Sequence, residues 1–341
     1  MDPLTHALSG AILARSVPKT AIPHRYVWLL AAVAMLPDID YVLTFISDTT
    51  YLRYHRGMTH SFLMLPMWIW LLYSLLPHVK RQQPFIPWLI GSVLLAHIFL
   101  DLVTSFGTMI LAPFSDTRAS LDLLFIIDPL FTLLLILPLI FMLFLKKHAR
   151  ALAIISLVLI TAYLSVVYYY HDKAIALTRQ HHPDAASVHA LPQPFTPFAW
   201  MLVASYPLKE VRTVIDFLPV FSGTTPLFPD SLVQQFIYHK DISNIKWQEL
   251  PAMRSIANID QLPGVGFYRW FARFPVLLKR DQHMIEFADL RFETMDMKRV
   301  AFRLRIELGD DLLEQKARAW LIWKKEKKID VSEATAPPTS W

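Results

Sequence analysis

The sequence predicts a polytopic α-helical membrane protein with a mainly β extramembrane domain towards its C-terminal end. The 341-residue chain is 54% hydrophobic and only 18% charged, against about 25% charged in an average soluble domain, and its mean hydropathy is +0.37. Residues 1–170 hold eight of the 28 acidic residues, all of them Asp, and the first Glu is Glu210. The first half is therefore predicted to lie in lipid and the second half in water.

Apolar stretches that approach the length of a bilayer span, about 20 residues, fill the first half of the chain. We expect about five transmembrane helices, at 26–46, 61–77, 85–105, 124–145 and 150–170. Residues 3–15 are too few to span and are predicted to form a short helix that re-enters the bilayer or packs against the bundle. Lys and Arg cluster in alternate loops, which the positive-inside rule places in the cytoplasm. Loops 47–60 and 106–123 and everything after residue 170 are then on the periplasmic side of a bacterial inner membrane.

The second half of the chain differs from the first in composition and in residue pattern. Proline residues mark 171–200 as a linker, and alternating apolar and polar residues at 284–292 and 302–308 are typical of antiparallel strands. We expect a small β-rich domain over 201–325 and a disordered tail over 326–341.

The absence of cysteine excludes disulfides, thiolate-bound metal and thiol nucleophiles. The formal charge of +5 does not indicate a nucleic-acid partner, because basic residues beside membrane segments mark the cytoplasmic face. The bilayer is the partner that the composition predicts, and the sequence identifies no protein partner.

Ionisable residues inside the apolar half form clusters that meet at one end of the predicted bundle. Such residues are costly in a membrane and usually functional. His97 and Asp101, four residues apart, share one helix face, and the extended turn that Pro37 favours allows Asp38 and Asp40 to reach one ion. The predicted metal ligands are His6, Asp38, Asp40, His55, His60, His97 and Asp101.

Imidazole and carboxylate donors without thiolate suit a divalent metal, with zinc favoured and manganese or iron as alternatives. The ligands are more numerous than one catalytic ion requires, so either two ions are bound or some residues support the ligands. Asp122 and Asp128 are candidate bases, and Arg56 and Arg118 are candidate anion clamps. The alternative is that both aspartates only cap helices.

The motifs at 1–6, 36–40, 55–61, 97–107 and 113–129 resemble the membrane-bound metal-dependent hydrolase family, the YdjM-type group of LexA-regulated bacterial inner-membrane proteins. The resemblance covers about residues 1–135 and implies a membrane protein with hydrolase activity, without supplying a substrate.

Three functions remain open from the sequence. The first is a metal-dependent hydrolase that activates water to attack an ester or phosphoester, with a lipid or lipid-linked substrate. The second is a transporter of divalent cations or protons that uses the same His and Asp residues. The third is a non-catalytic membrane scaffold.

Overall fold

The computed structural model describes residues 1–18, 25–75, 85–194, 196–218, 245–294, 297, 301–308, 317–324 and 327–334. The chain forms two compact units, residues 1–169 and residues 170–340. The predicted boundary between the membrane domain and the linker lies at residue 170.

The first unit is helical. Its α-helices are α1 (Pro3–Ser16), α2 (Arg25–Val33), α3 (Asp48–Tyr54), α4 (Leu65–Ser74), α5 (Ile86–Leu102), α6 (Pro129–Phe144) and α7 (Ala149–His181), the last of which continues into the second unit. Short 3-10 helices occupy Leu36–Phe45, Met58–His60 and Lys146–His148.

Helix α1 is the short helix expected at residues 3–15, and it packs tightly on α2. The Thr5 backbone N–H donates to Asp2 Oδ1 at 3.1 Å and so caps its first turn. Gly10 permits the close approach, because a Cβ at this position would lie 2.6 Å from the carbonyl oxygen of Leu30 and 2.7 Å from the Cβ of Ala34. Buried Ile90 and Leu94 of α5 lie in the same apolar core as residues of α1 and α2.

The prediction of about five membrane-spanning helices is wrong. Among the described residues, one helix is long and apolar enough to cross a membrane, the 36-residue helix Lys146–His181 that joins the last 3-10 turn to α7. A second candidate exists only if Tyr26–Val33 and Leu36–Phe45, which are bent by 53°, act as one broken span. Only 17% of the most apolar 18-residue stretch of this helix is buried inside the structure. The core helix of a soluble protein is mostly buried, so this helix does not resemble one.

The apolar runs fail as spans because they contain residues that are not helical. The run at 26–46 breaks before Pro37, and in the run at 61–77 the helix begins only at Leu65. Helix α5 has 17 residues, about 25 Å at 1.5 Å per residue, which is short of a hydrocarbon core of about 30 Å. Helix α6, within the span predicted at 124–145, has 16 residues and contains Pro138. A multi-pass topology with a periplasmic C-terminal domain therefore loses its basis.

An irregular segment, residues 103–128, braces the loop that contains His60. The backbone N–H of Met109 donates to the carbonyl oxygen of Arg56 at 2.8 Å, and that of Phe62 donates to the carbonyl oxygen of Ile110 at 3.0 Å. Within the segment, Thr108 and Ala119 form an antiparallel bridge. The backbone around His60 is therefore held on both sides.

The described residues of the second unit form two antiparallel sheets with consecutive strand order. The first sheet has β1 (Ser187–Pro192), β2 (Ala199–Ser205), β3 (Lys209–Asp216) and β4 (Gln248–Pro251), and the second has β5 (Pro275–Arg280), β6 (Met284–Asp289), β7 (Arg303–Glu307), β8 (Arg318–Lys324) and β9 (Lys327–Asp330). Helix α8 (Val265–Phe271) precedes β5.

The strands follow the alternating pattern of the sequence. Met284 pairs with Glu307 and Phe287 with Leu304, so β6 and β7 lie within the runs predicted at 284–292 and 302–308. Residues Leu191, Val203 and Val276 bring the two sheets into one buried core.

The structure changes two boundaries in the second half. The predicted linker, 171–200, contains the end of α7 and strand β1. The predicted disordered tail, 326–341, contributes strand β9 to the second sheet, while residues 335–341 lie outside the described residues.

Candidate metal centre

Four side chains from three separate parts of the first unit meet around one point. Asp38, His60, His97 and Asp101 each offer one donor atom, and these atoms lie within 4.8 Å of one another. The Nε2 atoms of His60 and His97 are 3.0 Å apart. Asp101 Oδ2 is 3.1 Å from the first of these nitrogens and 3.4 Å from the second.

The local backbone conformation positions each donor side chain. His97 and Asp101 project from one face of α5, as their spacing predicts. Asp38 lies in the 3-10 helix that starts at Leu36, with its Oδ1 3.4 Å from His60 Nε2. His60 ends a short 3-10 turn after Gly57, where a Cβ would lie only 2.7 Å from the carbonyl oxygen of Tyr54. The turn is therefore too tight for a side chain at residue 57.

Neighbouring groups turn the two imidazoles so that their Nε2 atoms face the centre. His97 Nδ1 lies 2.6 Å from the carbonyl oxygen of Ala34, which accepts its N–H. His60 Nδ1 lies 2.9 Å from Thr59 Oγ1, which in turn donates to Asp40 Oδ2 at 3.1 Å. Protonation at Nδ1 leaves the Nε2 lone pairs available, as in metal-bound histidines.

The donor set fits a divalent cation. The side chains of His60, His97 and Asp101 are fully buried, and Asp101 Oδ2 has no hydrogen-bond partner among the described residues. Two Nε2 atoms at 3.0 Å, both with Nδ1 already engaged, repel each other through their lone pairs unless a cation or proton lies between them. Buried polar atoms are rarely left in this state without a missing partner.

His6 lies beside the four donors. Its ring stacks on that of His97 with centroids 3.8 Å apart, and its Nε2 is 3.3 Å from Asp101 Oδ1. Neither ring nitrogen has a hydrogen-bond partner among the described residues. Burial, together with the nearby His97, lowers the pKa of His6 to about 4. His6 is therefore neutral at pH 7 and able to act as a ligand.

Arg56 forms a buried ion pair with Asp101. Its Nη2 lies 2.8 Å from Asp101 Oδ1, and its Nη1 donates to Thr104 Oγ1 at 3.1 Å. The amino nitrogen of Met1 is 2.5 Å from the same carboxylate oxygen. Burial alone would raise the pKa of Asp101, but Arg56, the amino group and the nearby His6 and His60 together hold that pKa well below its usual range. Asp101 is therefore ionised, as a metal ligand must be.

Asp40 and His55 form a pair next to the four donors. His55 Nδ1 lies 2.9 Å from Asp40 Oδ1, and the backbone N–H of Arg56 donates to Asp40 Oδ2 at 2.9 Å. Asp38, Asp40 and His55 also present three donor atoms within 4.8 Å of one another.

The structure places Arg118, Asp122 and Asp128 in contacts of their own. Arg118 Nη2 donates to the carbonyl oxygen of Leu52 at 2.9 Å. Asp122 has a positive φ of 54° and accepts from Ser120 Oγ at 3.1 Å. Asp128 caps α6 by accepting from the backbone N–H of Phe131 at 2.9 Å. None of the three belongs to either group of donor atoms described above, and their catalytic roles stay predictions.

Sequence reasoning missed the groups that orient the ligands. Thr59 and Thr104 lie inside motifs that contain the ligands, so their position beside His60 and Asp101 was a usable signal. No sequence signal indicated the carbonyl of Ala34 as the acceptor for His97, because the position of that carbonyl depends on where α2 ends. Tyr163, whose hydroxyl donates to Asp128 Oδ2 at 2.7 Å, also gave no pattern.

The first unit contains a buried cluster of His and Asp donors, and the helix Lys146–His181 is long and apolar enough to cross a membrane. Together they indicate a membrane-associated protein with a candidate metal site. Comparison with known families gives the same class: the profile described as the YdjM inner membrane protein matches residues 1–174. The chain belongs to this family of inner membrane proteins.

The chain is also similar to the uncharacterized protein YfhP of Bacillus subtilis (strain 168), with 30% identity over 139 residues. The match covers 38% of this chain and 42% of YfhP. No solved structure matches the chain.

Proposed function

We propose that this chain is a membrane-associated, metal-dependent hydrolase that acts on an ester or phosphoester. The observation that carries the proposal is the convergence of His60, His97, Asp101 and Asp38 on one point, with their donor atoms within 4.8 Å of one another. The side chain of Asp38 is 24% exposed, whereas those of His60, His97 and Asp101 are fully buried. Water can therefore reach the donor cluster from the side of Asp38. With four protein ligands, the water that is activated would take a further coordination position on this exposed side.

We assign one ion to Asp38, His60, His97 and Asp101, with zinc as the favoured metal. When bound, a divalent cation supplies the acidity that makes water nucleophilic near neutral pH. A second ion at Asp40 and His55 is disfavoured because both oxygens of Asp40 already accept hydrogen bonds.

The Asp40 and His55 pair is the proposed proton carrier. Asp40 accepts the Nδ1–H of His55 and fixes the ring, which leaves Nε2 to take a proton from water and return it to the leaving group. Arg56 positions Asp101 and keeps it ionised, so it acts on the ligand rather than on the substrate.

The metal content of the full chain in detergent tests the site. Wild-type protein should hold about one ion per chain, and His60→Ala and Asp101→Asn should lose it. His148→Ala is the matched control and should keep the ion, because His148 is exposed and follows α6 in the chain, outside the donor cluster. Wild-type protein that binds no metal under metal-replete conditions would contradict the site.

Turnover of a chromogenic phosphodiester and a chromogenic ester tests the reaction. His55→Gln should retain the ion but lose about 100-fold or more in turnover, as expected for removal of a general base. Full metal occupancy without turnover of either substrate class would count against a hydrolase. Ion flux into vesicles in the same preparation would then favour the transporter.

A further inference from the structure

A mostly apolar groove runs along α1 in the first unit, and none of Asp38, His60, His97 and Asp101 is among the residues that line it. Its volume is about 650 Å³, and its walls come from α1, α2, α6 and the start of α7. Leu8, Trp28 and Leu143 represent its apolar lining, while its two cationic residues are Arg15 and Lys146. Ligand pockets usually fall between about 300 and 1,000 Å³.

The apolar and cationic parts of the groove are separated along the helices. Thr5 Oγ1 lies 3.2 Å from Thr132 Oγ1, and Arg150 Nε donates to the carbonyl oxygen of Ser16 at 3.1 Å. Helices α1 and α6 therefore run in the same direction, and Arg15 and Lys146 come at the same end. From Leu4 to Arg15 the groove follows α1 for about 16 Å at 1.5 Å per residue.

The cationic end coincides with the end of the candidate span. Lys146 is the first residue of the apolar helix Lys146–His181. Helix α7 then runs back along α6, because Ser156 Oγ donates to the carbonyl oxygen of Leu134 at 2.6 Å and Tyr163 bonds to Asp128. The apolar part of the groove thus lies level with the first turns of the span. Basic residues at the end of a span lie among lipid headgroups.

We propose that this groove binds one anionic phospholipid of the surrounding membrane, with an acyl chain along α1 and the phosphate between Arg15 and Lys146. The apolar walls match the chain, and the two positive charges match the phosphate at the depth where headgroups lie. The proposal stands on the groove alone and is independent of hydrolysis at the metal centre.

Quenching of tryptophan fluorescence by brominated lipids tests the proposal on the full chain in detergent. Trp28 lines the groove and is 72% exposed, so a bound chain carrying bromine should quench it. Brominated phosphatidylglycerol should give saturable quenching at concentrations about 30-fold lower than brominated phosphatidylcholine, about fivefold for each of the two cations. Trp28→Phe should abolish this saturable component. Equal quenching by the two lipids in wild-type protein would overturn the proposal.

Charge variants give the second arm. A cation near a headgroup is worth about a fivefold change in affinity, so Arg15→Gln with Lys146→Gln should lower the preference for phosphatidylglycerol by about 30-fold. Lys147→Gln, a neighbouring exposed lysine outside the groove lining, should keep the preference. If the double variant is unstable, wild-type protein in about 1 M salt replaces it, because screening should remove the preference. A preference that survives both conditions would overturn the proposal.

Discussion

At the residue scale, His60 shows how a second group sets the chemistry of a ligand. Thr59 Oγ1 accepts from His60 Nδ1 and donates to Asp40, so one hydroxyl links the ring to the neighbouring carboxylate. The result is an Nε2 lone pair aimed at Asp38 and Asp101. Outer groups of this kind are worth about 10- to 100-fold in metal affinity.

Thr59→Val should therefore weaken metal binding by about 10- to 100-fold without removing a ligand, because valine keeps the shape of threonine but cannot link His60 to Asp40. A competition titration against a chromogenic chelator measures the change in Kd. Thr44→Val is the control, since the Thr44 hydroxyl only donates to the carbonyl oxygen of Tyr41. Equal affinities for the Thr59 variant and wild type would contradict this role.

Glu210 carries a prediction about pH in the second unit. Burial raises the pKa of Glu210 above its ordinary 4.5. The folded state therefore holds this proton more tightly than the unfolded state, and the resulting stabilisation is fully present below about pH 4.5 and is lost as pH rises through the raised pKa. The Tm of wild-type protein relative to Glu210→Gln should fall between pH 4.5 and pH 7.5. A difference that does not change with pH would count against the burial of this charge.

At the residue scale the sequence was informative where spacing alone decides geometry. The four-residue separation of His97 and Asp101 places both on one face of α5 whatever surrounds the helix. The expectation that Asp38 and His60 join them rested on a common depth in five crossings, and that topology is wrong. They meet because the tight turns at Pro37 and Gly57 bring them there, and such turns depend on tertiary contacts.

At the element scale, apolar composition was mistaken for helix length. The run at 61–77 becomes a ten-residue helix because Ser61 is extended and residues 62–64 form turns before the helix begins at Leu65. The run at 150–170 extends to His181 because no proline or glycine interrupts it. Hydropathy reports transfer to lipid, whereas the end of a helix depends on caps and breakers.

Helix α6 offers a test of whether Asp128 is structural or catalytic. Asp128 caps the helix and accepts from Tyr163, so Asp128→Ala should cost about 1–2 kcal/mol of stability and leave the metal content unchanged. Tyr163→Phe should lower stability through the same contact. Thermal denaturation and metal analysis of both variants decide the point. Loss of turnover in a stable, metal-loaded Asp128→Ala variant would instead make Asp128 catalytic.

Strand β7 depends on a buried ionic network. Arg303 Nε lies 2.7 Å from Glu293 Oε1, and its Nη1 lies 3.1 Å from Glu286 Oε1. Arg303→Ala should destabilise the fold by about 3–5 kcal/mol because it removes one partner of a buried ion pair. Chemical denaturation measures this loss, with the more exposed Arg305→Ala as the milder control. A cost for Arg303→Ala no larger than that of the control would argue against the network.

At the scale of the whole molecule, the chain joins a helical unit containing the metal centre to a β-rich unit through one continuous helix. The contrast between an acid-poor first half and an acid-rich second half indicated the two units. The number of crossings could not be read in the same way, because α4, α5 and α6 are apolar enough for lipid but each has no more than 17 residues.

The span itself can be tested with single cysteines, since the chain contains none. Lys147→Cys and Gln180→Cys mark the two ends of the helix Lys146–His181. A membrane-impermeant maleimide added to intact spheroplasts should label only one of the two, and both after permeabilisation. Labelling of both cysteines before permeabilisation would contradict a single crossing by this helix.

We propose that His60 and His97 bind one metal ion together with Asp38 and Asp101, and the proposed hydrolysis depends on that ion. X-ray absorption at the metal edge of the loaded full chain tests it most directly, because imidazole ligands give a distinct scattering signature. We expect nitrogen and oxygen ligands that include two imidazoles, with loss of one imidazole contribution in His97→Ala. A spectrum without imidazole scattering, or one that His97→Ala leaves unchanged, would contradict it.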